Sequence, residues 1–220
     1  MIPTGATFGP AAFMAAWAGG LALTLPLAVR WQVAKRGYQM LGAGTAALLM
    51  IYPALRSWWA AAGLALVLIG IWRSGRREYS GLVAAGAVLT LVSSVLSAGW
   101  VSTIASGAAL GGITATMLLG HWFLVDPTLP RWALRRLDVM AGIGLLLSLV
   151  GGWINGAIPY DGGSLGWVLA ALSLVGVALV VGTWFSLGET GYSGVMAATG
   201  LSYLGVVTIA AVVFLNHLMP

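Results

Sequence analysis

The chain has 220 residues, of which 60% are hydrophobic and only 7% are charged, and its mean hydropathy is +0.98. A soluble domain carries roughly 25% charged residues, so this composition excludes a water-exposed globular surface and indicates a protein of the lipid bilayer. The absence of cysteine excludes disulfides and an iron–sulfur cluster ligated by this chain. The net charge of +5 is too sparse for a nucleic-acid-binding surface.

Apolar segments close to the length that crosses a bilayer, about 20 residues, follow one another along the whole chain. They predict an all-α integral membrane protein with about eight transmembrane helices, at 9–30, 38–55, 57–72, 80–98, 103–125, 137–155, 166–187 and 193–215. The second and third segments are short, and the sequence PALRSWW leaves them almost no connecting loop. A re-entrant pair of helices is therefore the main alternative to two complete spans.

The basic residues predict the orientation of the chain in the membrane. With eight spans, the loops after spans 1, 3 and 5 lie on one side and carry nine of the ten basic residues: Arg30, Lys35, Arg36, Arg73, Arg76, Arg77, Arg131, Arg135 and Arg136. The positive-inside rule makes this side cytoplasmic, so both termini are expected on the non-cytoplasmic side. Tryptophans near the span ends agree with an interfacial aromatic belt, and only Trp17 falls well inside a span.

Two pairs of similar segments indicate an internal duplication. KRGYQMLGAG at 35–44 matches RRLDVMAGIG at 135–144, and YSGLVAA at 79–85 matches YSGVMAA at 192–198. The matches divide the chain into a first four-helix repeat, 1–100, and a second, 101–220. Because each half has an even number of spans, the halves are expected to be parallel repeats, packed as two four-helix bundles. The second half is longer, which predicts an extra outer loop near 156–165.

The segment GHWFLVDP at 120–127 is the candidate functional site. It corresponds to GLALTLP at 20–26, but His121 stands where the first half has Leu21. Gly107, Gly111, Thr114, Leu118 and His121 recur at spacings of three and four, so they share a helix face. We therefore expect His121 to point into the protein, about one turn from the cytoplasmic boundary.

A quinone head group needs hydrogen-bond donors near its carbonyl oxygens, at the depth of the membrane interface. Histidine, tyrosine and tryptophan supply such donors, and histidine also exchanges protons near neutral pH. The predicted cofactor-binding residues are His121, Trp122 and Asp126, with Tyr203 from the more polar second half. The alternative is that His121 only hydrogen-bonds a neighbouring helix or interfacial water.

Other chemistries fit the sequence less well. Haem is disfavoured because His217, the only other histidine, lies at the opposite end of its span, and no spacing selects a methionine ligand. Asp126 near Arg131, and Asp138 beside Arg135 and Arg136, predict ordinary surface ion pairs. No HExxH motif, phosphate-cradling loop, nucleophile elbow or pair of carboxylates is present, which argues against an autonomous hydrolase or ATPase.

In helix number and in its division into two four-helix halves, the chain resembles the quinone-interacting membrane subunits of the polysulfide-reductase type. The resemblance covers architecture, not motifs, and implies a subunit of a larger redox or respiratory complex. We expect such a subunit in the cell (inner) membrane of a prokaryote, with lipid and other subunits as its partners. The alternatives are a small transporter or channel for a neutral or apolar solute, and a structural or assembly subunit with no site of its own.

Overall fold

The computed structural model describes residues 9–154 and 164–218, and within these residues the chain forms eight α-helices joined by short turns. The helices are α1 (Pro10–Arg30), α2 (Arg36–Ala54), α3 (Trp58–Trp72), α4 (Tyr79–Ala98), α5 (Trp100–Val125), α6 (Arg131–Ile154), α7 (Ser164–Ser186) and α8 (Tyr192–Leu218). The predicted all-α fold is confirmed, and each predicted span coincides with one helix.

The largest difference from the predicted bounds is at α6, which begins at Arg131 rather than at residue 137. Pro130 directly precedes the helix and restricts the backbone to angles that suit a helix start. The arginines of the first turns can join the helix because their long side chains carry the charge out to water. The predicted outer loop near 156–165 lies outside the described residues, except that Ser164 and Leu165 begin α7.

In the described part of the chain, five helices are long and apolar enough to cross a membrane: α1, α4, α5, α7 and residues Tyr192–Asn216 of α8. They indicate a membrane protein, in agreement with the composition. Helix α3 is also apolar, but it has only 15 residues. At 1.5 Å per residue it is about 22 Å long, which is shorter than the hydrocarbon core of about 30 Å.

The helices pack as two groups of four that meet along α1 and α5. In the first group α1 contacts α2 and α4, and α3 contacts the same two helices. In the second group α5 contacts α6 and α8, and α7 contacts those two. The central pair is close because glycines face each other: a Cβ atom at Gly20 would lie 2.7 Å from the Cα atom of Gly107. Small residues allow this approach between helices in lipid.

Four of the connections between helices meet at one end of the fold. Lys35 forms an ion pair with Asp126, and the Nε atom of Arg36 donates to the Ser74 hydroxyl at 3.4 Å. Arg131 donates to the carbonyl oxygen of Thr190 at 2.7 Å. We call this end, formed by residues 31–35, 73–78, 126–130 and 187–191 and the adjoining helix turns, the basic end. It carries the nine basic residues that the sequence groups on one side.

Candidate functional site

The polar residues of the candidate site lie on α5 and α8, which run antiparallel and in contact. Gly120 of α5 faces Thr199 of α8, and a Cβ atom at Gly120 would lie 2.5 Å from the Thr199 hydroxyl oxygen. Farther from the basic end, Gly205 approaches Ile113 in the same way. This register places His121 and Tyr203 at neighbouring positions on the two helices.

The His121 and Tyr203 side chains are within reach of one another. The Tyr203 hydroxyl oxygen lies 3.5 Å from Nδ1 of His121, and which atom donates depends on the imidazole tautomer. Both side chains are exposed, Tyr203 by 47% of its surface. The pair therefore presents a histidine nitrogen and a phenol hydroxyl to the surroundings of the helices, close to the basic end.

The expectation that His121 points into the protein is wrong. Gly107, Gly111, Thr114 and Leu118 are buried, but His121 is exposed. These residues recur on average every 3.5 residues, whereas a straight α-helix has about 3.6 residues per turn, so the stripe drifts by about 20° per heptad around the helix. His121 comes two heptads after Gly107, and its side chain is therefore rotated by about 40° away from the buried face on which Gly107 lies. The stripe of residues that begins inside the protein ends at its surface.

Trp122 is turned away from the His121–Tyr203 pair. Its ring packs against Gly37, where a Cβ atom would lie 2.9 Å from one of the ring carbons. Its indole nitrogen is buried and has no hydrogen-bond partner among the described residues. Trp122 therefore packs α5 against the start of α2, and its N–H group does not reach the surface that His121 presents.

Asp126 follows the last residue of α5 and is engaged by two other groups. Lys35 forms an ion pair with it, and the Thr128 hydroxyl donates to its Oδ1 atom at 2.6 Å. The Lys35 ammonium and then the Thr128 hydroxyl hold the pKa of Asp126 below its ordinary value. The predicted partner, Arg131, instead donates to backbone carbonyls of residues 189–191. Of the four predicted site residues, the structure thus brings together only His121 and Tyr203.

The position of His217 argues against haem ligation by two histidines of this chain. His217 lies in the last turn of α8, whereas Tyr203, whose hydroxyl is within reach of His121, lies in the half of that helix nearer the basic end. The 14 residues between them correspond to about 21 Å of helix. The two histidines therefore stand at separate levels of the fold.

Sequence reasoning missed the buried carboxyl group of Asp138. The predicted ion pair with Arg135 or Arg136 is wrong, because Asp138 is 1% exposed and both of its oxygens lack a partner among the described residues. A helical-wheel comparison gives a signal that could have found it. Asp138 falls on the same face as Leu134, Leu137 and Ala141, which are all buried.

A cavity of about 260 Å³ lies between the two groups of helices. It is almost entirely apolar, and its polar lining is limited to Thr24 and Thr103. The Thr24 hydroxyl donates to the carbonyl oxygen of Leu21. The Thr103 hydroxyl donates to the carbonyl oxygen of Gly99. The cavity therefore suits a small apolar molecule or part of a lipid chain.

Comparison with known proteins adds no family to this picture. No protein-family model matches the chain, and neither curated proteins nor solved structures give a match.

Proposed function

We propose that the chain crosses the membrane eight times, with the basic end in the cytoplasm and both termini outside. Four of the connections between helices lie together at one end of the fold, and they and the adjoining helix turns carry nine basic residues. This arrangement supports the proposal. Such an excess of basic residues is typical of cytoplasmic loops. Tryptophans at the same level agree with it, since the rings of Trp31 and Trp132 are 5.5 Å apart there. We place the chain in the cell membrane of a prokaryote.

We further propose that residues 1–100 and 101–220 are repeats of one four-helix unit. The order of helix contacts supports this, because α1, α2, α3 and α4 touch one another in the same pattern as α5, α6, α7 and α8. The first-half pair that corresponds to His121 and Tyr203 is Leu21 and Thr90, and both of these side chains are buried. The second half therefore differs from the first by an exposed polar pair.

The function that the geometry supports best is a membrane subunit of a larger redox complex that binds a quinone head group at His121 and Tyr203. The single observation that carries this proposal is the exposed His121–Tyr203 pair near the basic end. Histidine and tyrosine can donate hydrogen bonds to quinone oxygens, and histidine can deliver a proton on reduction. Since the pair is open on its outer side, a neighbouring subunit would complete the pocket.

The test is to purify the chain from its native membrane with its associated subunits and to quantify the extracted quinone. Binding of a short-chain ubiquinone is then titrated for the wild type, His121→Leu and Tyr203→Phe. Removing one hydrogen-bonding group costs about 0.5–1.5 kcal/mol, so we expect each variant to bind about two- to tenfold more weakly.

A matched control for this experiment is Tyr192→Phe. Tyr192 is also an exposed tyrosine of α8, and its hydroxyl lies 3.5 Å from the Leu124 carbonyl oxygen. This variant should bind the quinone like the wild type. Equal binding by all four proteins, or a purified complex without quinone and without redox subunits, would contradict the proposal and favour a structural or assembly subunit.

The cavity favours a second candidate function, a carrier for a small apolar or neutral solute. Its lining joins α1, α4, α5 and α6, and parallel repeats of this kind suit alternating access. Reconstitution of the chain alone in liposomes and measurement of indole uptake tests this candidate. Ala108→Leu should fill the cavity and abolish uptake, while quinone binding at His121 should remain.

A further inference from the structure

The carboxyl group of Asp138 is an acid buried inside a largely apolar fold. Its side chain is 1% exposed, and neither oxygen accepts a hydrogen bond from the described residues. The neighbouring positions of α6 on the same face, Leu134, Leu137 and Ala141, are buried and apolar. Across the interface, Gly112 of α5 lies against Leu137 and Ala141, so α5 covers this face closely.

An ionised carboxylate in such a place is costly. Removing an unpaired charge from water has a large energetic penalty, which a group avoids by binding a proton or by gaining an opposite charge. An ionisable group inside a membrane protein is for this reason a functional candidate by default. The state of Asp138 therefore depends on which positive charges can reach it.

The basic groups of α6 itself are directed elsewhere. Arg131 donates to backbone carbonyls of residues 189–191. The guanidinium carbon of Arg135 lies 5.0 Å from the centre of the Trp184 ring, and that of Arg136 lies 4.7 Å from the centre of the Trp132 ring. Among the described residues the sole ion pair is Lys35–Asp126.

Within the described residues, the helices packed against α6 supply no counter-charge either. Helix α7 has no titratable residue, and the titratable residues of α5 and α8 are His121, Tyr192, Tyr203 and His217. The first three are exposed, and His217 lies in the last turn of α8, away from the basic end. The nearby connection contributes Glu189, which is acidic and exposed. One rival remains within α6: the Nε atom of Arg135 is also buried without a partner.

The first half has an uncharged group at the corresponding position. Tyr38 aligns with Asp138 at an offset of 100 residues, is fully buried, and has a hydroxyl without a partner among the described residues. Both halves thus bury one protonatable oxygen group that has no partner among the described residues. The second buried tyrosine of the first half, Tyr79, donates to the Gln39 carbonyl oxygen. A tyrosine loses its proton only by forming a phenolate, which needs strongly alkaline conditions. The carboxyl group of Asp138 can exchange a proton without such conditions.

We propose that the Asp138 carboxyl is a proton-binding site of the second half, loaded from the basic end. One carboxylate oxygen takes up one proton and becomes a neutral acid, and no other bond changes. Asp138 is seven residues from the start of α6, or about 10 Å along the helix, and 16 residues from its last residue, Ile154, so the basic end is the nearer source of a proton. A metal ion is not the expected ligand, because the described residues include no cluster of three His, Cys, Asp or Glu side chains.

Infrared difference spectroscopy of the full chain in lipid nanodiscs tests the proposal. The spectrum is recorded from mildly acidic to alkaline pH in H₂O and in D₂O. We expect a carbonyl band of a protonated, buried carboxylic acid that shifts in D₂O and disappears reversibly as the pH rises. Asp138→Asn should remove this band. Asp126→Asn and Asp161→Asn, which remove the other two aspartates, should leave it in place.

Two further measurements keep the experiment decisive. Labelling the wild type with ¹³C-aspartate must shift the band, which assigns it to an aspartate even where Asp138→Asn fails to fold. Arg135→Gln must leave the band unchanged, because a hidden Asp138–Arg135 ion pair would instead make the acid appear only in that variant. Absence of the band, its retention in Asp138→Asn, or a band that stays constant at every pH at which the protein is folded would overturn the proposal.

Discussion

Gly20 and Gly107 meet backbone to backbone at the crossing of α1 and α5. A Cβ atom at Gly20 would lie 2.7 Å from the Cα atom of Gly107, and one at Gly107 would lie 3.1 Å from the carbonyl oxygen of Ala16. These are backbone atoms, which cannot move aside as the end of a flexible side chain can. The contact between the two groups of four helices therefore depends on these positions having no side chain.

Gly20→Ala should destabilise the protein. The added methyl group forces α1 and α5 apart, and overpacking of this kind costs about 1–3 kcal/mol. The measurement is the free energy of unfolding in mixed detergent micelles. Gly44→Ala is the control, because a Cβ atom at Gly44 meets nothing within 4 Å. That variant should be more stable by about 0.5–1 kcal/mol, and a similar loss in both variants would contradict the interpretation.

Thr114→Val should weaken the same helix pair by a different route. The Trp17 indole nitrogen donates to the Thr114 hydroxyl at 2.9 Å, and valine keeps the shape of the side chain but removes the acceptor. Hydrogen bonds between membrane helices contribute about 0.6 kcal/mol on average, so we expect a loss of about 0.5–2 kcal/mol in the free energy of unfolding. Thr45→Val, which removes a bond of the same length to the Leu41 carbonyl on an exposed surface, should have little effect. In a Trp17→Phe background, which already lacks the donor, Thr114→Val should leave the free energy of unfolding unchanged.

The positions of the helices were predictable from sequence, whereas the direction of individual side chains was not. Apolar runs that end at arginine, glycine or proline define the spans, and the helix bounds follow them closely. Inside a membrane, however, lipid-facing and protein-facing residues are both apolar. Leu174 is 74% exposed and Leu169 is fully buried, and no difference in hydrophobicity separates them. The prediction for His121 failed for another reason: it followed the spacing of the buried stripe and neglected the rotation of that stripe around the helix.

The candidate site was predictable only in part for a related reason. His121 and Tyr203 were each identified as polar departures from the first half, but their proximity depends on the α5–α8 register. Trp122 and Asp126 share the segment with His121, yet helical rotation and the end of α5 direct them to Gly37 and Lys35. Neighbours in sequence point in different directions on a helix, so a linear segment could not define the site.

The Lys35–Asp126 ion pair should make a small, pH-dependent contribution to stability. Because the folded state holds the pKa of Asp126 below its ordinary value of 3.8, this contribution is present above that value and is lost as the pH falls through the folded pKa. Asp126→Asn should therefore remove an acid-sensitive part of the unfolding free energy, and added salt should reduce the difference. Lys35→Met should have the same effect, because it removes the other partner of the ion pair. A stability difference that persists unchanged in strong acid would contradict the pairing.

Arg131 should hold the connection between α7 and α8 in place. Its guanidinium donates to three successive backbone carbonyls, including those of Thr190 at 2.7 Å and Gly191 at 3.0 Å. Hydrogen bonds from a charged donor contribute about 1.5–3 kcal/mol, less where water competes, so Arg131→Gln should accelerate amide hydrogen exchange at residues 188–191 by roughly tenfold. Arg77→Gln, at an exposed position of the connection between α3 and α4, should leave that exchange unchanged.

The eight-span topology can be tested directly because the chain has no cysteine, so that each introduced cysteine is unique. Arg76→Cys and Glu189→Cys should react with a membrane-impermeant maleimide only from the cytoplasmic side, whereas Ser97→Cys should react only from the opposite side. The decisive position is Ser57→Cys, between α2 and the 15-residue α3. If both helices cross, Ser57→Cys reacts together with Ser97→Cys. If the two helices form a re-entrant pair, Ser57→Cys is instead unreactive from the non-cytoplasmic side, and the number of complete spans falls to six.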